Sequence, residues 1–237
     1  MALLSPLHMK LLRDLRRLWA QALAIALVMA SGVATLILGV GAYGSLSSTR
    51  AAYYEANRFG DVFASVTRAP RVLGSEIARI DGVLAVELRI ERLAVLDMPG
   101  MAEPGTMMLL SLPDAGRGAL NQLYLRTGHL PESHTTSEAV VSEGFAKAHD
   151  LRPGSRFSVL MNGQKRSVTV TGIALSPEYI YSLGPGDMMP DDRRFGVAWM
   201  PNDSLAAAYD LEGAFSSVVL KLMPGTSEAR VIEALDA

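Results

Sequence analysis

Histidines and closely spaced carboxylates are the residues of this 237-residue chain whose types could hold a metal ion. His129, His134 and His149 match no zinc-ligand spacing, and the chain contains no cysteine that could complete such a site. The aspartates within residues 187–192 are close enough to hold calcium, but they lack the spacing of an EF-hand loop. We therefore predict no metal site and interpret the three histidines as exposed side chains.

A glycine pattern in residues 39–44 is the one stretch whose spacing could bind a dinucleotide. It reads GVGAYG and fits G-x-G-x-x-G, but that fingerprint requires a strand before it and a helix after it. Here it lies at the end of a long apolar segment, where helix packing and the exit from a helix explain the glycines better. The chain contains no G-x-x-x-x-G-K-[ST] motif and no G-x-S-x-G motif. We predict that it is not an enzyme and holds no cofactor.

The apolar segment from Trp19 to Val40 contains no charged residue. About 20 apolar residues in a helix span the ~30 Å hydrocarbon core of a bilayer, where the backbone must form its own hydrogen bonds. Trp19 and Tyr43 lie near its two ends, where their rings favour the membrane interface. We therefore predict a transmembrane helix over residues 19–43. A buried helix of a soluble protein is the alternative, which the length of the segment disfavours.

A basic amphipathic segment, residues 1–18, precedes the predicted span. Its leucines recur at helical spacing on one face, which is typical of a helix lying in the membrane interface. Because positive charge before a span favours the cytoplasmic side, we predict a cytoplasmic N-terminus and an extracytoplasmic main domain. A cleaved signal peptide is the alternative, but its apolar core usually has only about 7–15 residues. The basic residues that we expect at the membrane interface are Lys10, Arg13, Arg16 and Arg17.

Small residues form a stripe along the predicted span. Ala22, Ala26, Ala30 and Ala34 recur every four residues, and Gly39 belongs to a second row of small residues beside them. Small side chains allow the backbones of two membrane helices to approach closely. A single anchor that faces only lipid has no need of such a stripe. We therefore predict that this face packs against other helices.

Beyond the span, the sequence predicts a helical stalk over residues 44–60 and then an α+β arrangement. Alternating β-formers and turn residues predict successive strands, including a hairpin at Asn162-Gly163. Because a strand-helix unit normally returns to a sheet, the end of the sequence after a final helix predicts a truncated chain. The predicted elements are strand 61–67, helix 71–80, one long strand 83–98, strand 106–112, strand 139–141, helix 143–149, the two hairpin strands, strand 195–201, strand 216–222 and a helix from residue 227.

The leader, the span, the β-α-β-β beginning and a long motif together resemble ABC-transporter permeases of the FtsX/MacB type. The motif reads GHLPE and then EAVVSEGFAKAHDLRPGSRFSVLMNGQKRSVTVTGIA, and its most specific part runs from Val140 to Ile173. Family members often carry G-R-x-[LP] before it, where this chain has His129 in place of the arginine. The resemblance covers nearly all of the chain, but the three further membrane helices of the family do not occur in these 237 residues.

The resemblance implies both a fold and a function. The fold is α+β, with one N-terminal transmembrane helix followed by an extracytoplasmic βαβ porter-like domain that carries an inserted β-rich lobe. The porter-like part would comprise residues 61–120 and 213–237, and the lobe would comprise residues 121–205. The implied function is that of a membrane permease subunit, similar to FtsX, MacB and LolC. It would couple ATP hydrolysis by a separate ATPase subunit, which binds the ATP, to domain movement for export or substrate hand-over.

The resemblance also implies partners and a location in the bacterial cytoplasmic (inner) membrane. The expected partners are an ABC ATPase subunit, membrane lipid and a second permease in a homo- or heterodimer. Residues 175–201 resemble the subgroup encoded with a periplasmic adaptor of the HlyD type, so they form a candidate adaptor contact. An ordinary loop packed on its own domain is the alternative. The candidate contact residues are Tyr179, Tyr181, Met188, Met189 and Phe195.

The same sequence features bear on other functional classes. No nucleic acid is expected, because lysine and arginine do not cluster outside the leader. A single-span sensor or scaffold with an extracytoplasmic ligand-binding domain would share the anchor, and would fold and dimerise alone. A regulatory relative of the permeases that controls a cell-wall hydrolase would share the whole resemblance. Only its partners would distinguish that protein from a transporter.

Overall fold

The structure is a computed structural model that describes residues 6–98, 100–101, 103–113, 118–133 and 135–236. At 6–8, 11, 12, 15, 16 and 51 it describes only the backbone. The chain divides into two compact units, Met1–Ala52 and Tyr53–Ala237. In chain order the elements are α1 Pro6–Ala56, β1 Val62–Pro70, α2 Leu73–Ile77, β2 Val83–Arg89, β3 Glu91–Asp97, β4 Gly105–Leu112, β5 Tyr124–Gly128, β6 Glu138–Ser142, α3 Glu143–Ala148, β7 Arg156–Met161, β8 Gln164–Leu175, β9 Phe195–Pro201, α4 Asn202–Tyr209, β10 Ala214–Leu222 and α5 Glu228–Leu235.

Helix α1 is a single helix of 51 residues. Its segment Trp19–Ala56 is long and apolar enough to cross a membrane, with a mean hydropathy of 2.4 in its most apolar window. The few hydroxyls in the apolar part bond back to the helix itself: Ser31 Oγ donates to Val28 O at 2.8 Å, and Thr35 Oγ1 donates to Ser31 O at 2.8 Å. These bonds satisfy polar groups that lipid cannot solvate. The prediction that leader, span and stalk continue as one helix is confirmed up to Ala56.

A three-stranded antiparallel sheet has the order β1-β10-β2. Its central strand therefore comes from the far end of the chain, between two strands from residues 62–89. Helices α2 and α5 cover one face, where Val62, Phe215, Leu220 and Val231 are buried. Because β1 and β2 each pair on one side only among the described strands, this sheet has two outer edges.

The other seven strands form a sheet that closes on itself. Their order is β5-β8-β6-β9-β4-β3-β7, and β7 also pairs with β8. A ring of six strands results, with β5 attached to β8. The 12-residue β8 makes this closure possible, because Thr169 pairs with Glu138 of β6 on one side and with Arg156 of β7 on the other. Apolar residues fill the interior, including Leu96, Met107, Val141, Phe145 and Val159.

The predicted long strand over residues 83–98 is wrong, because it is two strands in different sheets. Ile90, fully buried, separates them. Its N–H donates to Ser111 Oγ at 2.8 Å, and its carbonyl accepts from the Ser111 N–H at 2.9 Å. These bonds turn the chain from β2 towards β4. Residues 91–112, which the sequence analysis placed with the porter-like part, therefore pair within the seven-stranded sheet.

Most of the other predicted elements are present. The hairpin at Asn162-Gly163 is confirmed, with φ values of 47° and 78° at its two turn residues and Met161 paired with Gln164. Positive φ at both central positions is the geometry that favours Asn-Gly in a two-residue turn. The sequence analysis missed β5 and α4 as separate elements. Both are short, and α4 follows Pro201 directly.

Candidate functional site

The residues expected at the membrane interface lie on α1. Trp19 and Tyr43 are exposed, with relative accessibilities of 62% and 76%, as interface anchors require. The side chain of Arg16 lies outside the described part of the chain, as do those of Leu11, Leu12 and Leu15. The lipid contacts of all the residues expected at the membrane interface remain predictions. The basic residues of this group with exposed side chains are Lys10, Arg13 and Arg17.

The stripe of small residues on α1 is also exposed. Nothing lies within 4 Å of a Cβ built on Gly39, so the face offers open space to a neighbouring helix. Its packing against other helices stays a prediction. The residues that form it are Ala22, Ala26, Ala30, Ala34 and Gly39.

The loop from Tyr179 to Phe195, which connects β8 to β9, combines buried ends with an exposed middle. Tyr181, Met188 and Met189 are exposed, and Met188 is 96% accessible. Tyr179 instead packs edge-on against Trp199, with ring centroids 6.2 Å apart, and Phe195 is buried. These two candidate contact residues therefore anchor the loop: Phe195 is buried and Tyr179 is partly buried. The exposed apolar surface of the loop consists of Ile180, Tyr181, Leu183, Met188 and Met189.

Acidic and histidine side chains near the second half of this loop hold its backbone. Asp191 Oδ1 accepts from the Arg193 N–H at 3.0 Å, and His149 Nε2 lies 2.9 Å from Arg193 O. Arg194 bonds Glu103 at 2.9 Å. No group of three or more acidic or histidine residues within the described ranges is placed to hold a metal ion. His134 lies outside the described residues.

A buried polar cluster, which the sequence analysis did not identify, joins the two sheets. It consists of Arg89 at the end of β2, Glu178 after β8, Asn121 before β5 and Glu91 at the start of β3; we call it the junction cluster. Arg89 binds Glu178 through two hydrogen bonds, Nη1–Oε2 at 2.6 Å and Nη2–Oε1 at 2.5 Å. The side chains of this pair are only 7% and 14% accessible. A bidentate pair of this kind fixes both position and orientation.

Asn121 connects the junction cluster to the segment that follows α1, residues 57–60. Its Nδ2 donates to Glu178 Oε2 at 2.8 Å, and its Oδ1 accepts from the Gly60 N–H at 2.9 Å. The Asn121 N–H donates to Arg58 O at 3.1 Å, and the Gln122 N–H donates to Asn57 O at 3.0 Å. Asn121 has a φ of 46°, a left-handed conformation that asparagine tolerates better than most residues. The short segment after α1 is thus bonded directly to the contact between the sheets.

A row of aromatic rings reaches the same cluster from the last turn of α1. The ring of Tyr54 stacks on Phe59 at 4.5 Å, and Phe59 contacts Phe63 at 5.6 Å. The guanidinium of Arg89 lies over the Phe63 ring, 5.9 Å from its centroid. Aromatic and cation–π contacts at these distances are attractive. Arg89 therefore receives both a polar and an aromatic connection from the end of the helix.

Burial shifts the pKa values of residues in and beside the junction cluster. Burial alone lowers the pKa of Arg89, but the hydrogen bonds and charge of Glu178 raise that pKa above its ordinary value overall. Burial also raises the pKa of Tyr179, and the nearby charges of Glu178 and Glu91 add to this. Burial raises the pKa of Glu87, although the Leu120 N–H, which donates to it at 2.8 Å, opposes the shift. Arg89 is therefore charged at neutral pH.

The cavity beside the junction cluster is too small for a substrate. Its volume is about 30 Å³, which leaves room for about two water molecules. Glu87, Arg89, Asn121 and Glu178 line it together with apolar side chains. The cluster is therefore a structural connection between parts of the domain and does not form a binding pocket.

Comparison with known proteins identifies the domain. The family model described as the MacB-like periplasmic core domain matches residues 22–237. The periplasmic region of MacB from Actinobacillus actinomycetemcomitans has 13% identity and a TM-score of 0.40, and the match covers 70% of each chain. The extracellular domain of the noncanonic ABC-type transporter YknZ from Gram-positive bacteria has 13% identity and a TM-score of 0.44, over 70% of this chain and 78% of that one. No curated protein matches the sequence.

Proposed function

Because this chain belongs to the family of the MacB-like periplasmic core domain, we propose that it is a permease subunit whose outer domain a separate ATPase subunit moves. The family consists of components of ABC-transporter permeases, which are not typical enzymes and which work with ABC ATPase subunits. One N-terminal apolar helix and a domain of this family together indicate a membrane protein with an extracellular domain. We further propose how the chain is coupled to the ATPase, how it is oriented in the membrane and which partners it binds.

The observation that carries the proposal is the connection between the end of α1 and the outer domain. A membrane helix that only anchors a domain can end in a flexible linker, because nothing has to be transmitted. Here residues 57–60 follow the helix without a linker and bond Asn121, Gln122 and Lys221, whose Nζ donates to Phe59 O at 2.9 Å. These bonds immediately after the helix support a mechanical role, in which movement of the helix displaces the outer domain to export or hand over a substrate.

The remaining parts of the proposal concern partners. ATP is bound by a separate subunit, because the 237 residues contain no phosphate-binding motif of the P-loop type. The small stripe on α1 packs against helices of a second permease, identical or different. The exposed middle of the Tyr179–Phe195 loop contacts a periplasmic adaptor of the HlyD type. The protein lies in the cytoplasmic (inner) membrane of a bacterium, with its N-terminus in the cytoplasm and without a cofactor of its own.

Orientation is tested by labelling single cysteines, which the cysteine-free chain makes unambiguous. Lys165→Cys lies at an exposed position of β8, and Lys10→Cys lies at an exposed position of the leader. We expect a membrane-impermeant maleimide to label Lys165→Cys in intact spheroplasts and Lys10→Cys only after lysis. The reverse pattern would contradict the proposed orientation.

ATPase coupling is tested by co-expressing the full chain with a candidate ABC ATPase from the same genome, purifying them together and reconstituting both in nanodiscs. We expect a stable complex whose rate of ATP hydrolysis differs from that of the ATPase alone. If no complex forms and the chain instead folds and dimerises alone, a single-span sensor or scaffold becomes the better account. If a complex forms but its partner is a cell-wall hydrolase instead of an adaptor, the regulatory function replaces transport.

A further inference from the structure

Glu178 is bonded to two different parts of the domain through one oxygen atom. Its Oε2 accepts from Asn121 Nδ2 at 2.8 Å and from Arg89 Nη1 at 2.6 Å, while Oε1 accepts from Arg89 Nη2. Asn121 holds residues 57–60, and Arg89 ends a strand of the three-stranded sheet. A buried carboxylate has strong directional preferences towards such partners. Displacement of either partner therefore has to move Glu178 or break a buried charged hydrogen bond.

Glu178 also begins the loop that carries the exposed apolar surface. Tyr179, the next residue, packs on Trp199, and its carbonyl accepts from Ser182 Oγ at 3.4 Å. Ile180 and Tyr181 follow directly and are exposed. Only Tyr179 thus separates Glu178 from the apolar surface, and Tyr179 itself is held by contacts. A shift of Glu178 is passed along the backbone to the surface of the loop.

We propose that Glu178 is a positioning residue that couples the segment after α1 to the conformation of the Tyr179–Phe195 loop. In this arrangement Asn121 moves with Gly60, Glu178 moves with Asn121, and Arg89 holds the carboxylate against the three-stranded sheet. The consequence is that the apolar surface of the loop changes its accessibility when the end of the helix moves. The coupling deepens the proposed function, since it assigns a route from the membrane helix to the proposed partner surface.

The test measures amide hydrogen exchange in the full chain, reconstituted in nanodiscs. Asn121→Gly keeps the left-handed backbone conformation and removes the link between Gly60 and Glu178. We expect it to raise the exchange rate of residues 180–189 at least about threefold, although Asn121 lies more than fifty positions away in the sequence. Asn162→Gly is the matched control: it makes the same change at another asparagine with positive φ, and it should affect only the β7–β8 hairpin.

The double substitution Arg89→Met/Glu178→Leu replaces the buried ion pair by apolar residues and should cost less stability than a single charge deletion. In this background we expect Asn121→Gly to have no further effect on residues 180–189. The proposal is overturned if Asn121→Gly leaves the loop unchanged, or if its effect is undiminished in the double variant. It is also overturned if exchange in β3 and β7 rises as much as in the loop, because that result indicates general unfolding. The outcome is independent of whether an ATPase binds, so a failure of the transport proposal is distinguishable from a failure of this one.

Discussion

The two sheets of the domain differ in how completely each is built. Six strands of the seven-stranded sheet close into a ring around a large apolar interior, β5 is attached at its edge, and the sheet comes from one continuous stretch of the chain, residues 91–201. The three-stranded sheet combines residues 62–89 with residues 214–222, has two outer edges, and has a smaller apolar core under two short helices. An open groove of about 580 Å³ remains between β1, α2 and α5.

This difference indicates that the seven-stranded sheet is a rigid body, whereas the three-stranded sheet depends on its neighbours for stability. A closed sheet has no unpaired edge and gains most of its stability from its own interior. A small three-stranded sheet buries less apolar surface, and its stability depends on contacts with its neighbours. The junction cluster supplies several of those contacts. Four substitutions test this comparison.

The largest effect is expected inside the closed sheet. Phe145 is fully buried on α3, and its ring contacts Phe157 at a centroid distance of 5.8 Å. Phe145→Ala leaves a cavity, and we expect it to lower the free energy of unfolding by about 3–5 kcal/mol. Denaturant unfolding monitored by the fluorescence of Trp199, in a Trp19→Phe background, measures this. Tyr124→Ala, at an exposed aromatic on β5, serves as the control, with a change within about 0.5 kcal/mol.

A nearly equal effect is expected at the junction cluster. Glu178→Gln takes the bidentate charged partner from the buried Arg89 and leaves it the 3.3 Å ion pair with Glu91. Loss of one partner costs about 3–5 kcal/mol in comparable buried pairs. Replacing both residues, in Arg89→Met/Glu178→Leu, should return most of this loss, because neither charge then remains buried and unpaired. The same unfolding experiment gives both values. Equal losses in the single and the double variant would show that packing, and not charge pairing, holds the sheets together.

A smaller effect is expected in the three-stranded sheet. Val231 on α5 is the buried residue through which this helix contacts its core. Val231→Ala removes the equivalent of two methylenes, and we expect a loss of about 2 kcal/mol. Because the three-stranded sheet is the dependent part, amide exchange should rise in β1 and β10 while β3 and β7 stay protected. A uniform rise in both sheets would contradict the division between a rigid and a dependent part.

The smallest effect is expected at Glu87, and it depends on pH. Because burial raises the pKa of Glu87 in the folded state, the folded protein binds more protons than the unfolded one between the ordinary and the raised value. Stability therefore falls as the pH rises through this window, and the ionised carboxylate leaves a net cost at neutral pH. Glu87→Gln keeps an acceptor for the Leu120 N–H, removes the charge, and should stabilise the protein at pH 7 by less than about 1 kcal/mol. Unfolding at pH 4, where the gain should shrink, completes the test.

Local features of the sequence predicted the local features of the structure. The length and apolarity of residues 19–40 predicted the helix, and Asn162-Gly163 predicted the hairpin, because each depends on neighbouring residues only. The family itself was also identified, since the motif from Val140 to Ile173 is continuous in the sequence.

Features that depend on distant residues were missed. Apolar and polar residues alternate in the same way in β2 and in β3, so the pattern of residues 83–98 could not indicate that Ile90 separates two sheets. Only the bonds between Ile90 and Ser111 determine that turn. Arg89, Asn121 and Glu178 were likewise not singled out, because each looks ordinary in its own segment and they meet only in the fold. The one signal for this cluster in the sequence was Arg89, a charged residue at the end of an apolar strand.

The position of Ile90 has a further consequence for how this domain can change over evolutionary time. The chain leaves the three-stranded sheet after Arg89 and returns to it at Ala214, and the Glu91 N–H donates to Ser216 Oγ at 2.9 Å. The first residue of the segment 91–213 therefore lies beside the strand that follows the end of that segment. A genetic exchange of residues 91–213 for another segment whose ends also meet would leave the remaining strands in register. That segment would also have to supply partners for Arg89 and for residues 57–60, which Glu178 and Asn121 bond in this chain.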